Sequence, residues 1–191
     1  EASSEFQFRN FISVVALRTA QELHYDQIAS TVGIDVRTCK RWISILQTSG
    51  IIYLLQPYMS NVSNRIIKAP KLYFMDTGLL GLMLLDCKSA QLENLVAIEL
   101  IRRYGTENVY FFENNVEIDF YIPLDNLAIQ VSMQVLDNID TRERETRAFV
   151  KLNNFIPNAK CILITNSEEA VIDCDGINIE VIPIWKWLLD N

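Results

Sequence analysis

The sequence predicts an α/β (α+β) chain built in two parts, on three observations. Apolar residues recur at helical spacing through the first third, and period-two alternation dominates much of the remainder. The charge also changes sign between them. Residues 1–75 hold eight Lys/Arg against five Asp/Glu (+3), whereas residues 76–191 hold nine against nineteen (−10), within a net charge of −7. The first part suits a phosphate backbone and the second, as a whole, repels one. At 191 residues, half of them apolar and with only six Gly and five Pro, the chain is globular and long enough for two small cores.

In the first part, Phe8, Phe11, Ile12 and Val15 predict an amphipathic helix over residues 7–20. "YDQIASTVGID" reads as a short helix broken at Gly33. Asp35 is placed to cap the next helix, because its carboxylate can accept from free amides of the first turn. Val36, Cys39, Ile43 and Leu46 then form an inward stripe, leaving Arg37, Lys40 and Arg41 to project elsewhere. Two strand-like runs, "IIYLLQPY" and "RIIKAPKLYF", follow around a polar "MSNVSN". The pattern is a winged helix-turn-helix over residues 1–75. Arg37, Lys40 and Arg41 become candidate DNA contacts, with Arg65 and Lys68 on the wing. The alternative is a solvated helix face used for domain packing or protein contact. Trp42 fits a core or interface better than base stacking.

Residues 76–88 read as a helical linker, entered by a helix start capped by Asp76. From residue 89 the order is helix (89–105), strands "NVYFFE", "VEIDFYIP" and "LAIQVSM", a polar helix "NIDTRERETRAFVKLNNF", strands "KCILIT" and "INIEVIPI", and a short helix "WKWLL". That is the restriction-endonuclease-like order α-β-β-β-α-β, with a mixed sheet flanked by helices. Strict alternation places Glu117 and Asp119 on one strand face, opposite Val116, Ile118 and Phe120. Gln130 and Ser132 share a face of the next strand, and Glu93 reaches toward the same patch. A nuclease centre needs carboxylates to hold Mg²⁺ and a cation to stabilise developing charge. Gln130 offers a neutral oxygen, and Ser132 cannot replace an ammonium. Arg147 or Lys151 on the polar helix would have to supply a relocated cation. A solvated or capped strand face is the bland alternative.

Several segments together resemble the C-terminal half of a large family of bacterial and archaeal AAA+-like P-loop ATPases. They are "FRNFISVVALRTAQELHYDQIASTVGIDVRTCKRWISIL", "YLLQPYMSNVSNRIIKAPKLYFMDTGLL", "QLENLVAIELIRR", "FFENNVEIDFYI" and "AIQVS". The resemblance implies a winged helix followed by a nuclease-like domain, and an N-terminal ATPase domain binding ATP and Mg²⁺. These residues contain no GxxxxGK[ST], so no cofactor is expected for this part of the protein. Family members carry E-[IV]-D-[FL] and then [IV]-E-V-K. Here Glu117-Ile118-Asp119-Phe120 is kept, with Glu93 on the leading helix, but Ile129-Gln130-Val131-Ser132 lacks the Glu and the Lys. The expectation is a degenerate nuclease site serving as scaffold, with Glu93, Asp119 and Gln130 as a weak metal set at most. The partner would be DNA or a protein at the winged helix. The absence of an initiator Met and of a basic-then-apolar leader, together with unclustered Cys39, Cys87, Cys161 and Cys174, leads to the expectation of a cytoplasmic piece of a longer protein with free thiols.

Overall fold

Helix α1 (Ala2–Ala16) buries Phe11 and Val15, as their spacing requires. It ends short of residue 20 because the chain turns to line a strand instead. Ala20 takes a left-handed backbone (φ 64°), its amide donates to Leu72 O at 2.8 Å, and Leu72 N donates to Gln21 O at 3.0 Å. The computed structural model describes residues 2–58, 68–83 and 87–189. Arg65 and the tip of the expected wing therefore lie outside the described residues.

Helix α2 (Tyr25–Val32) closes at Gly33, whose φ of 75° lets its amide reach Ala29 O; a side chain there would be strained. Helix α3 (Val36–Thr48) starts at the expected cap, with Asp35 Oδ1 accepting from Thr38 N at 2.9 Å. Cys39, Ile43 and Leu46 are buried, but Val36, the first residue of the helix, is 41% exposed. The inward stripe thus begins one turn later than its spacing suggests. Trp42 packs edge-on against Phe8 and Phe11, at 5.2 and 5.1 Å between ring centres, which joins α3 to α1.

Strands β1 (Ile52–Leu55) and β2 (Lys71–Phe74) pair antiparallel, with Ile52 opposite Phe74 and Leu55 opposite Lys71. Because successive side chains alternate, this ribbon serves two cores. Ile52, Leu54, Leu72 and Phe74 pack into the helical core with Phe11, Ile43 and Leu46. Leu55 and Tyr73 pack into the core of the large sheet, with Phe111 and Phe120. Past β1 the chain extends along that sheet's edge: Phe111 N donates to Gln56 O at 3.2 Å and Tyr58 N to Phe111 O at 2.6 Å. The wing is therefore shared between the halves.

Helix α4 (Thr77–Met83) begins where Asp76 Oδ1 accepts from Leu79 N, as expected of a cap, and Leu80 joins the helical core. Helix α5 (Lys88–Tyr104) follows. Its fully buried Asn94 accepts from Phe74 N at 2.7 Å and donates to Phe74 O at 2.9 Å, which satisfies both peptide groups of an otherwise open strand edge. Then come β3 (Tyr110–Glu113), β4 (Glu117–Ile122), β5 (Leu127–Ser132), α6 (Ile139–Leu152), β6 (Lys160–Thr165), β7 (Ala170–Cys174), β8 (Ile177–Pro183) and α7 (Ile184–Leu189). The sheet order is β3-β4-β5-β6-β8-β7, antiparallel at β3/β4, β4/β5 and β7/β8 and parallel at β5/β6 and β6/β8. This mixed sheet follows the expected order, with β7 added. Two apolar layers cover it, one including α5 and the other including α6. Among the described residues no helix is long and apolar enough to cross a membrane. The four cysteines are free.

Candidate functional site

Strict alternation fails in β4, and the failure builds the site. Phe112 lies opposite Ile118, but Tyr110 lies opposite Tyr121, so two steps on β3 span three on β4. The extra residue is a β-bulge around Asp119 and Phe120. Its effect is visible in the packing, where Ile118 joins the layer including α6 and Phe120 the layer including α5. Glu117 and Asp119 therefore do not stand opposite one uniform apolar row, as alternation had suggested.

On the other side, the β4/β5 ladder holds only through Phe120↔Ile129, Tyr121↔Ala128 and Ile122↔Leu127. Beyond it, side chains replace ladder bonds. Asp119 N donates to Gln130 Oε1 and Val131 N donates to Asp119 Oδ2, each at 2.9 Å. Gln130 Nε2 donates to Glu117 O at 3.2 Å and to Glu145 Oε2 at 3.1 Å. All of these groups line or border a cleft of about 470 Å³ between the sheet and α6.

The cation in this cluster comes from the wing. Lys71, with only 5% of its side chain exposed, places Nζ 2.6 Å from Glu117 Oε1, 3.6 Å from Asp119 Oδ1 and 3.9 Å from Glu93 Oε1. The ammonium also lies 5.6 Å from the centre of the Phe111 ring. Burial opposes its charge, but Asp119, Glu93 and Glu117 outweigh that and hold its pKa above the ordinary lysine value. Tyr73, two residues on and on the same strand face, donates to Glu93 Oε1 at 2.7 Å. Burial, then the nearby Asp119, push Glu93 up to about 8 despite Lys71, which favours its protonated form. Burial also raises Asp119, against the pull of Lys71 and the Val131 amide.

Sequence reasoning brought Glu93, Glu117, Asp119 and Gln130 to one patch, and these four all line the cleft. Ser132 is buried and donates to Gln134 O. The cations proposed on the polar helix hold back from the carboxylate cluster. Arg147 and Lys151 border the cleft, with Arg147 paired to Glu143 at 3.3 Å. Two participants are not visible in the sequence pattern: Lys71 lies on a strand of the wing, and Glu145 lies on the polar helix beside Arg144. Glu145 is buried and paired with Arg144 at 2.6 Å; burial raises its pKa and Arg144 lowers it.

The residues do not fit the Mg²⁺ ion that a nuclease centre needs. Gln130 Oε1 and Asp119 Oδ2 already accept backbone hydrogen bonds, and the Lys71 ammonium sits among the carboxylates. Among the described residues no three His, Cys, Asp or Glu side chains form a metal-holding group.

On the helix-turn-helix face, Arg37, Lys40 and Arg41 are exposed, with Lys40 Nζ 5.5 Å from the Tyr25 ring centre. None of the three forms an ion pair with a described residue. Lys68 is committed elsewhere, with Nζ 2.5 Å from Glu113 Oε2 on β3.

Comparison with known proteins finds relatives that are themselves uncharacterised. A domain of unknown function (DUF8612) matches residues 2–91, a span running from α1 through the wing into α5. The chain is 34% identical over 162 residues to the uncharacterized protein MJ1544 of Methanocaldococcus jannaschii, covering 78% of this chain and 35% of that protein. It is 24% identical over 110 residues to the uncharacterized proteins Mb2031c of Mycobacterium bovis and Rv2008c of Mycobacterium tuberculosis, covering 51% of this chain and 25% of each. The chain thus spans about a third or less of the length of these relatives. No solved structure matches it.

Proposed function

We propose that this chain is the non-catalytic C-terminal portion of a P-loop ATPase, and that it binds DNA through α3 while the nuclease-like sheet serves as its scaffold. The observation that carries DNA binding is the row Arg37, Lys40 and Arg41. All three are exposed on a capped helix, and no carboxylate among the described residues neutralises them. Cations without internal ion pairs are available to phosphates, and each phosphate neutralised releases counterions. The scaffold role is supported by the site's own bonding: Gln130 Oε1 and Asp119 Oδ2 accept backbone hydrogen bonds, and the Lys71 ammonium stands beside Glu117 and Asp119. The greater length of the relatives leaves room for an ATPase domain.

The test is a fluorescence anisotropy titration of duplex DNA over a range of salt. Binding is expected to be nonspecific and salt-dependent. Joint change of Arg37, Lys40 and Arg41 to Ala should weaken it at least about tenfold and flatten the salt slope by ~0.9 for each phosphate no longer neutralised. Absence of binding by the parent chain at low salt would turn the assignment to a protein partner on the same face.

A second reading, a nuclease whose cation has moved from position 132 to Lys71, rests on Nζ lying 3.6 Å from Asp119. The two readings part on one assay. No cleavage of DNA or RNA with Mg²⁺ or Mn²⁺ is expected, whereas cleavage abolished by Asp119→Ala would establish the enzyme.

A further inference from the structure

We propose that Lys71 is a latch between the two halves of the molecule, an ammonium delivered by the wing that holds the helix-turn-helix in one fixed orientation on the sheet. The proposal does not depend on what α3 binds. Among the described residues, the ion-pair and cation–π partners of this ammonium lie across the divide: Glu117 and Asp119 on β4, Phe111 on β3 and Glu93 on α5. The strand that carries it belongs, through Leu72 and Phe74, to the helical core. A flexible linker between independent modules does not require a buried charge. Placing one here makes separation of the halves costly, because withdrawal of β2 would strand carboxylates in a cavity shaped around a cation.

Lys71 is also the central member of a set. Lys68 reaches Glu113 at one end of the same segment, and Asn94 grips both peptide groups of Phe74 at the other. The Gln56–Tyr58 stretch adds its two backbone bonds to Phe111. Backbone and neutral side-chain bonds of this kind re-form with water when an interface opens, but a buried ammonium among carboxylates has no equally good refuge part-way out. The ionic interaction therefore makes docking cooperative.

Hydrogen exchange followed residue by residue on the whole chain tests this. The amides of Tyr58, Phe74 and Phe111 bond across the divide and report docking, whereas the amides of α3, from Cys39 to Leu46, report the integrity of the helical half. In Lys71→Met the bridging amides are expected to exchange about 10²–10³-fold faster while α3 keeps its protection, the signature of undocking without unfolding. Lys71→Arg, which keeps the charge, should retain most of the bridging protection. Glu117→Gln removes one partner whose side chain is 55% exposed, so its folding is not at risk; it should shift the same amides in the same direction by a smaller factor. Bridging amides that keep their protection in Lys71→Met, or that lose it only in step with α3, would overturn the latch. If Lys71→Met does not fold, Glu117→Gln decides by the same comparison.

Discussion

Gln130→Glu, the change that would restore the acidic residue of the nuclease pattern, is expected to destabilise the chain by about 3 kcal/mol rather than revive it. The amide nitrogen of Gln130 donates to Glu145 Oε2 at 3.1 Å and to Glu117 O at 3.2 Å. A carboxylate at 130 can make neither donation and sets two buried acids against each other, with Asp119 close by. One of them must take a proton or the cleft must open. At roughly 2–4 °C per kcal/mol for a chain of this size, the thermal midpoint should fall by about 6–12 °C at neutral pH. Adding Ser132→Lys gives no relief, because Ser132 is buried and its hydroxyl points to Gln134 O. Glu145→Gln in the Gln130→Glu background should recover most of the deficit, since it re-forms the amide–carboxylate pair with its partners exchanged. Thermal denaturation of the two single variants and the double variant measures the coupling directly. Additive effects would show that Glu145 has no part in choosing glutamine at 130.

That cycle also marks where sequence reasoning reached its limit. The helix-turn-helix was legible because its signals are local: Gly33 at a left-handed turn, Asp35 three residues before the amide it caps, and apolar residues one turn apart. Asp119 and Gln130 could be brought together because they lie on consecutive strands. Lys71 could not, since its partners stand 22 to 48 residues further along the chain and nothing local in "KLYF" announces them. Nor could the bulge at Asp119, because alternation assumes the regular pleat that a bulge breaks. Glu145 is obscured for a different reason: on a polar helix carrying three acids and three bases between residues 140 and 147, nothing local singles out the one acid that is buried. Strand β7 was within reach: Asp175-Gly176, both at positive φ (53° and 78°), is a tight-turn pair between two alternating runs.

The stability of the chain should also fall as the pH rises from about 5 to above 8, with Glu93 responsible for much of the slope. Burial, reinforced by Asp119, lifts its pKa from 4.5 to about 8, while Lys71 and the Tyr73 hydroxyl lower it only in part. The sign follows from proton binding. Below about pH 4.5 the Glu93 carboxyl is protonated in both states and folding costs it nothing. Between 4.5 and 8 the unfolded chain gives up this proton while the folded chain keeps it, so each step up in pH favours unfolding. Above 8 the folded form ionises too, and the whole cost, on the order of a few kcal/mol, is present. Asp119, also raised by burial, adds to the trend from the acid side. Glu99 works in the opposite sense. Hydrogen bonds from Arg102 lead the effects that hold it at about 2, so it stabilises the fold above pH 4.5 and loses that contribution only as pH falls toward 2. Glu145 and the buried thiols of Cys39 and Cys161, also raised by burial, act in the same sense as Glu93, so its share is read from a substitution. Glu93→Gln keeps an oxygen for Tyr73 and removes the titration, so its denaturant midpoint should decline distinctly less between pH 6 and 9 than the parent's. Parallel curves for the two proteins would mean that Glu93 is ionised in the folded state at neutral pH, with Lys71 balancing three carboxylates rather than two.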